Sequence, residues 1–289
     1  MKIIRSPVAM AAWSEQFRRE GVQIGFVPTM GALHEGHRAL IRAARLRCDA
    51  LVVSIFVNPT QFGQHEDLAK YPRPIARDRA MCRQEGVDVC FEPTVDVMYP
   101  PGFQTTVSLP TIARRWEGEV RPHHFSGVAT VVTKLFGMVR PRIALFGQKD
   151  FQQSALVQQL VKDLNLGVEI VVCPTIREND GLAMSSRNVY LSPEERQRAT
   201  TLFRSLRTGA EVIRKGVIRV EVVQSAMTQV IEEEPVMAID YLAVCDPITL
   251  EPLARVTSRV VLLGAVRLGS VRLIDNLLVT VPKKRPTRL

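Results

Sequence analysis

Ten residues near the N-terminus, Pro28-Thr29-Met30-Gly31-Ala32-Leu33-His34-Glu35-Gly36-His37, hold two histidines three positions apart. They follow an apolar run, Val22–Val27, and lead into Gly36–Arg47, a stretch of helical character. Backbone N–H groups at a helix start point outward and favour anions. Residues at i and i+3 share one helix face, so His34 and His37 are expected to project together beside such an anion site. Two imidazoles there would hydrogen-bond phosphate oxygens and stabilise charge that develops in a transition state. A zinc site of the H-E-x-x-H kind needs histidines at i and i+4, whereas this run is H-E-G-H and has no third ligand in view. The plainer alternative is a pair of surface histidines in a turn.

The elements that must position these side chains follow from patterning. Ala50–Val57 is a nearly continuous β-branched run, the kind buried in parallel sheets. Pro74–Glu85 reads as a helix, Val87–Phe91 as a strand, and Val128–Val139 as a long apolar helix. Arg142–Phe146, Phe151–Leu164 and Val168–Cys173 read as strand, helix and strand. Repeated βα units imply a parallel sheet with helices on both faces, which binds ligands at the carboxyl ends of its strands. Beyond Pro174 the character changes to a loop, then a charged helical stretch from Ser192 to about Arg214. A helix over Val220–Glu233 and strands at Ala238–Val244, Arg259–Val266 and Arg272–Val279 follow. The expected organisation is an α/β domain over residues 1–175 and a small α+β domain over 176–289.

Bulk properties narrow the function classes. The 289 residues carry 46% hydrophobic and 23% charged side chains, a soluble globular composition. The opening MKIIRSPVAM lacks a signal-peptide core, and no apolar run approaches the roughly 20 residues of a membrane span, so a cytoplasmic protein without a membrane partner is expected. Five scattered cysteines (Cys48, Cys82, Cys90, Cys173, Cys245) form no C-x-x-C pair and are expected to be buried and inert. A formal net charge of +9 raises the question of nucleic acid, but only the tail Lys283-Lys284-Arg285 is dense, and aromatics are 6%. A non-catalytic RNA binder would need an aromatic-studded basic face, so no nucleic-acid partner is expected. Basic balance also suits a pocket for anionic small molecules.

The H-x-G-H run after the first long strand resembles the signature of class I aminoacyl-tRNA synthetases and the related nucleotidylyltransferases. Such proteins carry a second loop after the last strand of the sheet, matched here by Gly181-Leu182-Ala183-Met184-Ser185-Ser186-Arg187-Asn188. With further blocks the chain resembles one family, the pantothenate synthetases (pantoate–β-alanine ligases). These blocks are Asn58-Pro59-Thr60-Gln61-Phe62, Arg121-Pro122-His123-His124-Phe125 and Phe146-Gly147-Gln148-Lys149-Asp150-Phe151-Gln152-Gln153. They stand in the family's order and spacing over nearly the whole chain.

The resemblance implies a Rossmann-like ATP- and pantoate-binding domain and a C-terminal domain acting as a lid. It implies condensation of pantoate with β-alanine in two steps: pantoate and ATP give pantoyl adenylate and pyrophosphate, then β-alanine displaces AMP. It assigns His34, His37, Lys149, Ser185 and Arg187 to the ATP phosphates. Met30, Gly31, Gly147, Ser186, Ile176 and Met184 belong with them around the nucleotide, the last two lining the adenine pocket. Asp150 would accept from a ribose hydroxyl, or else cap the helix from Phe151. Gln61 and Gln153 would hold pantoate, with Pro28 and Met30 as the apolar wall and Asn58, Arg121 and His124 nearby. Mg2+ accompanies ATP chemistry by default, and a homodimer through the N-terminal domain is implied. The loop Asp180–Asn188 is expected to be mobile and to close on ATP.

The chain departs from the family at Gln148, where a Glu is common, and at Arg38, where an apolar residue is commoner. His65 is expected to be exposed. A nucleotidylyltransferase acting on a phosphate acceptor would share the ATP motifs, but it would need a cationic acceptor pocket. Gln61 and Gln153 are neutral.

Overall fold

The computed structural model describes residues 1–64 and 66–281. His65 and the basic cluster at 283–285 lie outside the described residues. The chain opens with a three-residue strand, β1 (Lys2–Ile4), and helix α1 (Pro7–Arg19). β2 (Ile24–Thr29), α2 (Glu35–Arg45) and β3 (Ala50–Ile55) follow. Next come α3 (Ile75–Gln84), β4 (Val89–Phe91) and two single-turn helices, α4 (Val95–Met98) and α5 (Glu117–Val120). The first half ends with α6 (His124–Val139), β5 (Ile143–Gly147), α7 (Phe151–Asp163) and β6 (Glu169–Cys173).

These six strands form one sheet in the order β1-β4-β3-β2-β5-β6, every neighbouring pair parallel. Alternation along the strands feeds two cores. Ile24, Phe26 and Val52 face the side covered by Met10 of α1, by α6 and by Leu156, Val157 and Leu160 of α7. Val27, Leu51 and Val53 face Leu40, Ile41 and Ala44 of α2 and Met81 of α3. The connection out of β2 runs to β3 on one side, and that out of β5 runs to β6 on the other. The sheet therefore reverses its winding between β2 and β5, and open sheets of this kind bind ligands at such a reversal, at the carboxyl ends of the strands. The loops leaving both strands carry candidate residues.

The second half contains α8 (Pro193–Arg198), α9 (Thr201–Arg214), α10 (Val220–Glu232), β7 (Met237–Cys245), β8 (Arg259–Leu268) and β9 (Val271–Thr280). The three strands make an antiparallel sheet, β7-β8-β9. Apolar residues of α9 and α10, among them Leu206, Ile213, Val223 and Met227, pack on Val260 and Leu262 of β8.

Several elements differ from the pattern-based expectation. β1 and α1 escape it because a three-residue strand carries no period and α1 buries only Met10 and Ser14. Their start signal is nonetheless present: the Ser6 hydroxyl accepts the Ala9 N–H at 3.3 Å, and Pro7 takes the first helical position. The charged stretch 192–214 is two helices rather than one, separated by a turn in which Ala199 is buried among Leu182, Leu202 and Val266. Cys48 and Cys173 are partly exposed, so only Cys82, Cys90 and Cys245 are the buried thiols expected of all five.

The chain divides into two compact units, but not by a single cut. Met1–Ile176 and Met184–Ser186 make the first; Arg177–Ala183 and the chain from Arg187 onward make the second. Within the second unit Arg177 donates to both oxygens of the buried Asp275 carboxylate, at 2.6 and 2.9 Å, and to the Gly181 carbonyl at 3.0 Å. Its guanidinium also lies 3.8 Å from the Phe203 ring centroid. Removing one member of such a pair leaves an uncompensated buried charge. Asp275→Ala is therefore expected to destabilise the second unit by about 3 kcal/mol, read as a fall in its thermal unfolding midpoint. An unchanged midpoint would mean that the pair contributes nothing to that unit.

Candidate active site

The loop between β2 and α2 is held at three places. The Thr29 hydroxyl donates to the Ser54 carbonyl at 2.7 Å and accepts the Gly31 N–H at 3.1 Å. Gly31 and Ala32 then both take positive φ, 84° and 50°. Asp78 of α3, buried, accepts the N–H groups of Ala32 and Leu33 on its two oxygens, each at 2.8 Å. This loop delivers His34 in extended backbone geometry, at the cap position ahead of α2. His34 is thus not on the helix face that the i, i+3 spacing suggested.

The two histidines form a reciprocal cap. His34 Nδ1 accepts the Gly36 N–H at 3.1 Å, and His37 Nδ1 accepts the His34 N–H at 3.3 Å. A ring nitrogen that accepts an N–H bond carries no proton, so both rings are fixed as the Nε2–H form. Their centroids are 4.2 Å apart. Gly36 makes this possible, since a Cβ there would meet the His34 ring at 2.8 Å. Burial, with the Lys149 charge next, pushes His34 down to about 4. Burial, then His34 and Lys149, pushes His37 down to about 3. At neutral pH the pair presents two uncharged Nε2–H donors, with the cation supplied by Lys149.

Lys149 and Asp150 leave the end of β5, on the other side of the winding reversal. Lys149 Nζ is 3.8 Å from Asp150 Oδ1. Asp150, half-exposed, stands at the cap position of α7, and its side chain makes no capping bond. The Gly147 carbonyl accepts the Ser154 hydroxyl at 3.0 Å, and the Gln148 N–H donates to the Cys173 carbonyl at 2.8 Å. Gln148 therefore contributes backbone to the sheet end. The returning segment Met184–Ser186 joins the same region. The Met184 N–H donates to the Ile176 carbonyl at 3.0 Å, and the Ser186 hydroxyl donates to the Ala32 carbonyl at 3.1 Å.

Gln61 is the centre of a second constellation. It ends a 3-10 turn, Pro59–Gln61, and is buried. Its Oε1 accepts from Asn58 Nδ2 at 3.1 Å, and its Nε2 lies 3.1 Å from Met30 Sδ, which ties it to the β2–α2 loop. Asn58 also donates to the Gly127 carbonyl at 3.1 Å and accepts from the Thr60 and Tyr99 hydroxyls at 2.9 and 2.8 Å. Both of its donors are committed within the protein. Arg121 donates to the Gln61 carbonyl at 3.2 Å and to Glu66 at 2.9 Å, and His124 Nδ1–H donates to the same carbonyl at 2.9 Å. Burial, then the Arg121 charge, pushes His124 down to about 4. Asn58, Arg121 and His124, which the resemblance groups with the substrate contacts, all bond Gln61. Gly127 lets α6 reach this turn; a Cβ there would meet the Thr60 carbonyl oxygen at 2.4 Å.

On α7, two adjacent glutamines separate. Gln152 is buried, accepts the Glu117 N–H at 3.1 Å and donates to the Ile112 and Arg115 carbonyls at 2.9 Å each. Gln153 is half-buried, and its amide has no hydrogen-bond partner among the described residues. Pro28 is half-buried within β2. In the segment Asp180–Asn188, Asp180 pairs with Arg196 at 2.7 Å, and Leu182 and Ala183 are buried. Ser185 belongs to the first unit and Arg187 to the second. Asp78 and Gln152 are the residues that motif reading missed. A buried acid and a buried amide on charged helices carry no spacing signal.

The buried, neutral histidines make stability depend on pH in a definite sense. Their folded pKa values lie below the unfolded 6.5, so below 6.5 the unfolded chain binds protons that the folded chain does not. Stability is then present above 6.5 and is lost as pH falls from 6.5 toward 3, at about 1.4 kcal/mol per pH unit for each fully uncharged ring. His37→Asn retains a cap acceptor but does not titrate. Urea unfolding between pH 6.5 and 4.5 should show a shallower loss by about that amount per unit; an unchanged slope would contradict a neutral His37.

The family model described as pantoate-β-alanine ligase matches residues 2–278. A pantothenate synthetase from Desulfatibacillum aliphaticivorans is 51% identical over 276 residues, covering 96% of this chain and 98% of that protein. The crystal structure of a pantothenate synthetase from Thermus thermophilus superposes with a TM-score of 0.91 at 45% identity, covering 96% of this chain and 99% of the other. A pantoate-β-alanine ligase from Francisella tularensis, solved with β-γ ATP and β-alanine, has a TM-score of 0.80 at 35% identity, covering 96% and 97%.

Proposed function

The chain belongs to the pantoate–β-alanine ligase family, and from that premise we propose how its residues divide the work. The reaction is the ATP-dependent condensation of pantoate with β-alanine to pantothenate, toward coenzyme A. It passes through pantoyl adenylate and releases pyrophosphate, then AMP.

The observation that carries the residue assignment is the pair of neutral Nε2–H donors at His34 and His37, beside Lys149, at the winding reversal of the sheet. Activating a carboxylate with ATP brings two anions together, so the protein must position them and neutralise charge. Lys149 and Arg187 supply positive charge to the triphosphate; His34, His37 and Ser185 supply donors to its oxygens. Asp150 takes a ribose hydroxyl. Ile176, Met184, Gly147 and Gly31 line the nucleotide, and the Ser186 hydroxyl fixes its loop. Gln61 and Gln153 hold pantoate with amides that serve both its hydroxyl and its carboxylate. Met30 and Pro28 face its methyl groups. The pantoate carboxylate oxygen bonds the α-phosphorus as the bond to pyrophosphate breaks. The β-alanine amine then bonds the acyl carbon, and AMP leaves.

Mg2+ enters this reading as part of the nucleotide. It would offset the charge of the phosphates. The second unit works as a lid that brings Arg187 to the nucleotide. The enzyme is a cytoplasmic homodimer; no helix among the described residues is long and apolar enough to cross a membrane.

Isotope exchange between pyrophosphate and ATP is the experiment that tests the assignment. Exchange should require pantoate and proceed without β-alanine. His37→Ala should slow it by roughly 10²–10³-fold, the loss of one donor to developing charge. Exchange at the wild-type rate in His37→Ala would overturn the role given to the histidines.

A further inference from the structure

Asp78 is a buried carboxylate with an unusual set of partners. Among the described residues it forms no ion pair. Its two oxygens are instead used by two consecutive backbone groups, the N–H of Ala32 and the N–H of Leu33, both at 2.8 Å. Burial pushes its pKa up, with the two N–H bonds opposing that shift. A desolvated charge held by neutral donors is a costly way to stabilise a fold. It is an effective way to fix a peptide plane, because only a carboxylate offers two equivalent acceptors in one rigid fork.

The segment so fixed lies directly ahead of the capped histidines. Ala32 is held at φ 50°, a conformation that an alanine seldom adopts. The Ala32 peptide is also gripped on its opposite edge, where its carbonyl accepts the Ser186 hydroxyl at 3.1 Å. Two residues later His34 enters its cap geometry, with His37 locked to the His34 N–H. A shift of the 32–33 peptides would therefore rotate both Nε2–H bonds and move the point at which the Met184–Ser186 segment attaches.

We propose that Asp78 is a positioning residue for adenylate formation: from α3 it sets the aim of the His34 and His37 donors through the 32–33 backbone. This rests on the reading of those histidines as donors to the ATP phosphates. Asp78 touches no reacting atom. Its effect is confined to the half-reaction in which phosphate charge develops, and the attack of β-alanine on preformed adenylate is independent of it.

That split supplies the test. Asp78→Asn keeps the shape but has one acceptor, with an NH2 facing a backbone N–H; Asp78→Ser leaves room for water. Each variant is assayed in two half-reactions: single-turnover pantoyl adenylate formation from ATP and pantoate, and aminolysis of chemically prepared pantoyl adenylate by β-alanine. The expected result is adenylate formation slowed by about 100-fold, the scale of a 1 Å misplacement of reacting groups, with aminolysis within about threefold of wild type. Equal slowing of both half-reactions, unchanged adenylate formation, or failure of both variants to fold would each overturn the proposal and leave Asp78 a structural residue. His37→Ala is run alongside. If that variant forms adenylate normally, the underlying reading of the histidines fails; if it is slow while the Asp78 variants are normal, only the positioning role fails.

Discussion

Two ring nitrogens that accept backbone N–H bonds fix the form of the histidines at the start of α2. Once His34 Nδ1 takes the Gly36 N–H and His37 Nδ1 takes the His34 N–H, each ring has a single tautomer and a single direction for its remaining proton. Burial keeps both rings uncharged. The cap thus turns residues that could be cations, metal ligands or bases into a matched pair of neutral donors. Positive charge beside them comes from another element, with Lys149 at the end of β5. Separating direction from charge in this way suits a site that receives a triphosphate and a carboxylate together.

The fold serves that arrangement through its winding. The strand order reverses between β2 and β5, so the loops after those strands lead to opposite sides of the sheet. One loop brings the histidines and the other brings Lys149 and Asp150. The surroundings of Gln61 are built on a different principle. Asn58, Arg121, His124 and Met30 hold its side chain and carbonyl, which gives a neutral amide rigid support.

Much of this was legible in the residues. The β-branched run at Ala50–Val57 and the strand signals around it placed a parallel sheet, and the co-linear blocks pointed to the family. What patterning could not supply was which of the motif residues bond one another. Asn58, Arg121 and His124 share conspicuous motifs with Gln61, and each bonds it. Spacing is blind to such contacts. His34 shows the same limit, since i, i+3 describes two residues of a helix as well as a cap and its third residue. Asp78 lay beyond reach because its partners are more than forty positions away in sequence, and an acid in a charged helix looks like a solvated one. Gln152 and Gln153 were indistinguishable until α7 turned one into the core. The weak elements, β1 and α1, were lost to shortness and polarity rather than to any conflict of propensities.

The central claim is that His34 and His37 are neutral Nε2–H donors in the resting protein. Long-range nitrogen–proton correlation spectra of 15N-histidine-labelled protein read the tautomer and charge of each ring directly, with His34→Asn and His37→Asn used to assign the signals. Both rings should show a protonated Nε2 and a bare Nδ1, unchanged from pH 8 down to about 5.5, above the range in which the folded rings take up protons. Nδ1–H tautomers, or imidazolium signals already present at pH 6.5, would contradict the claim.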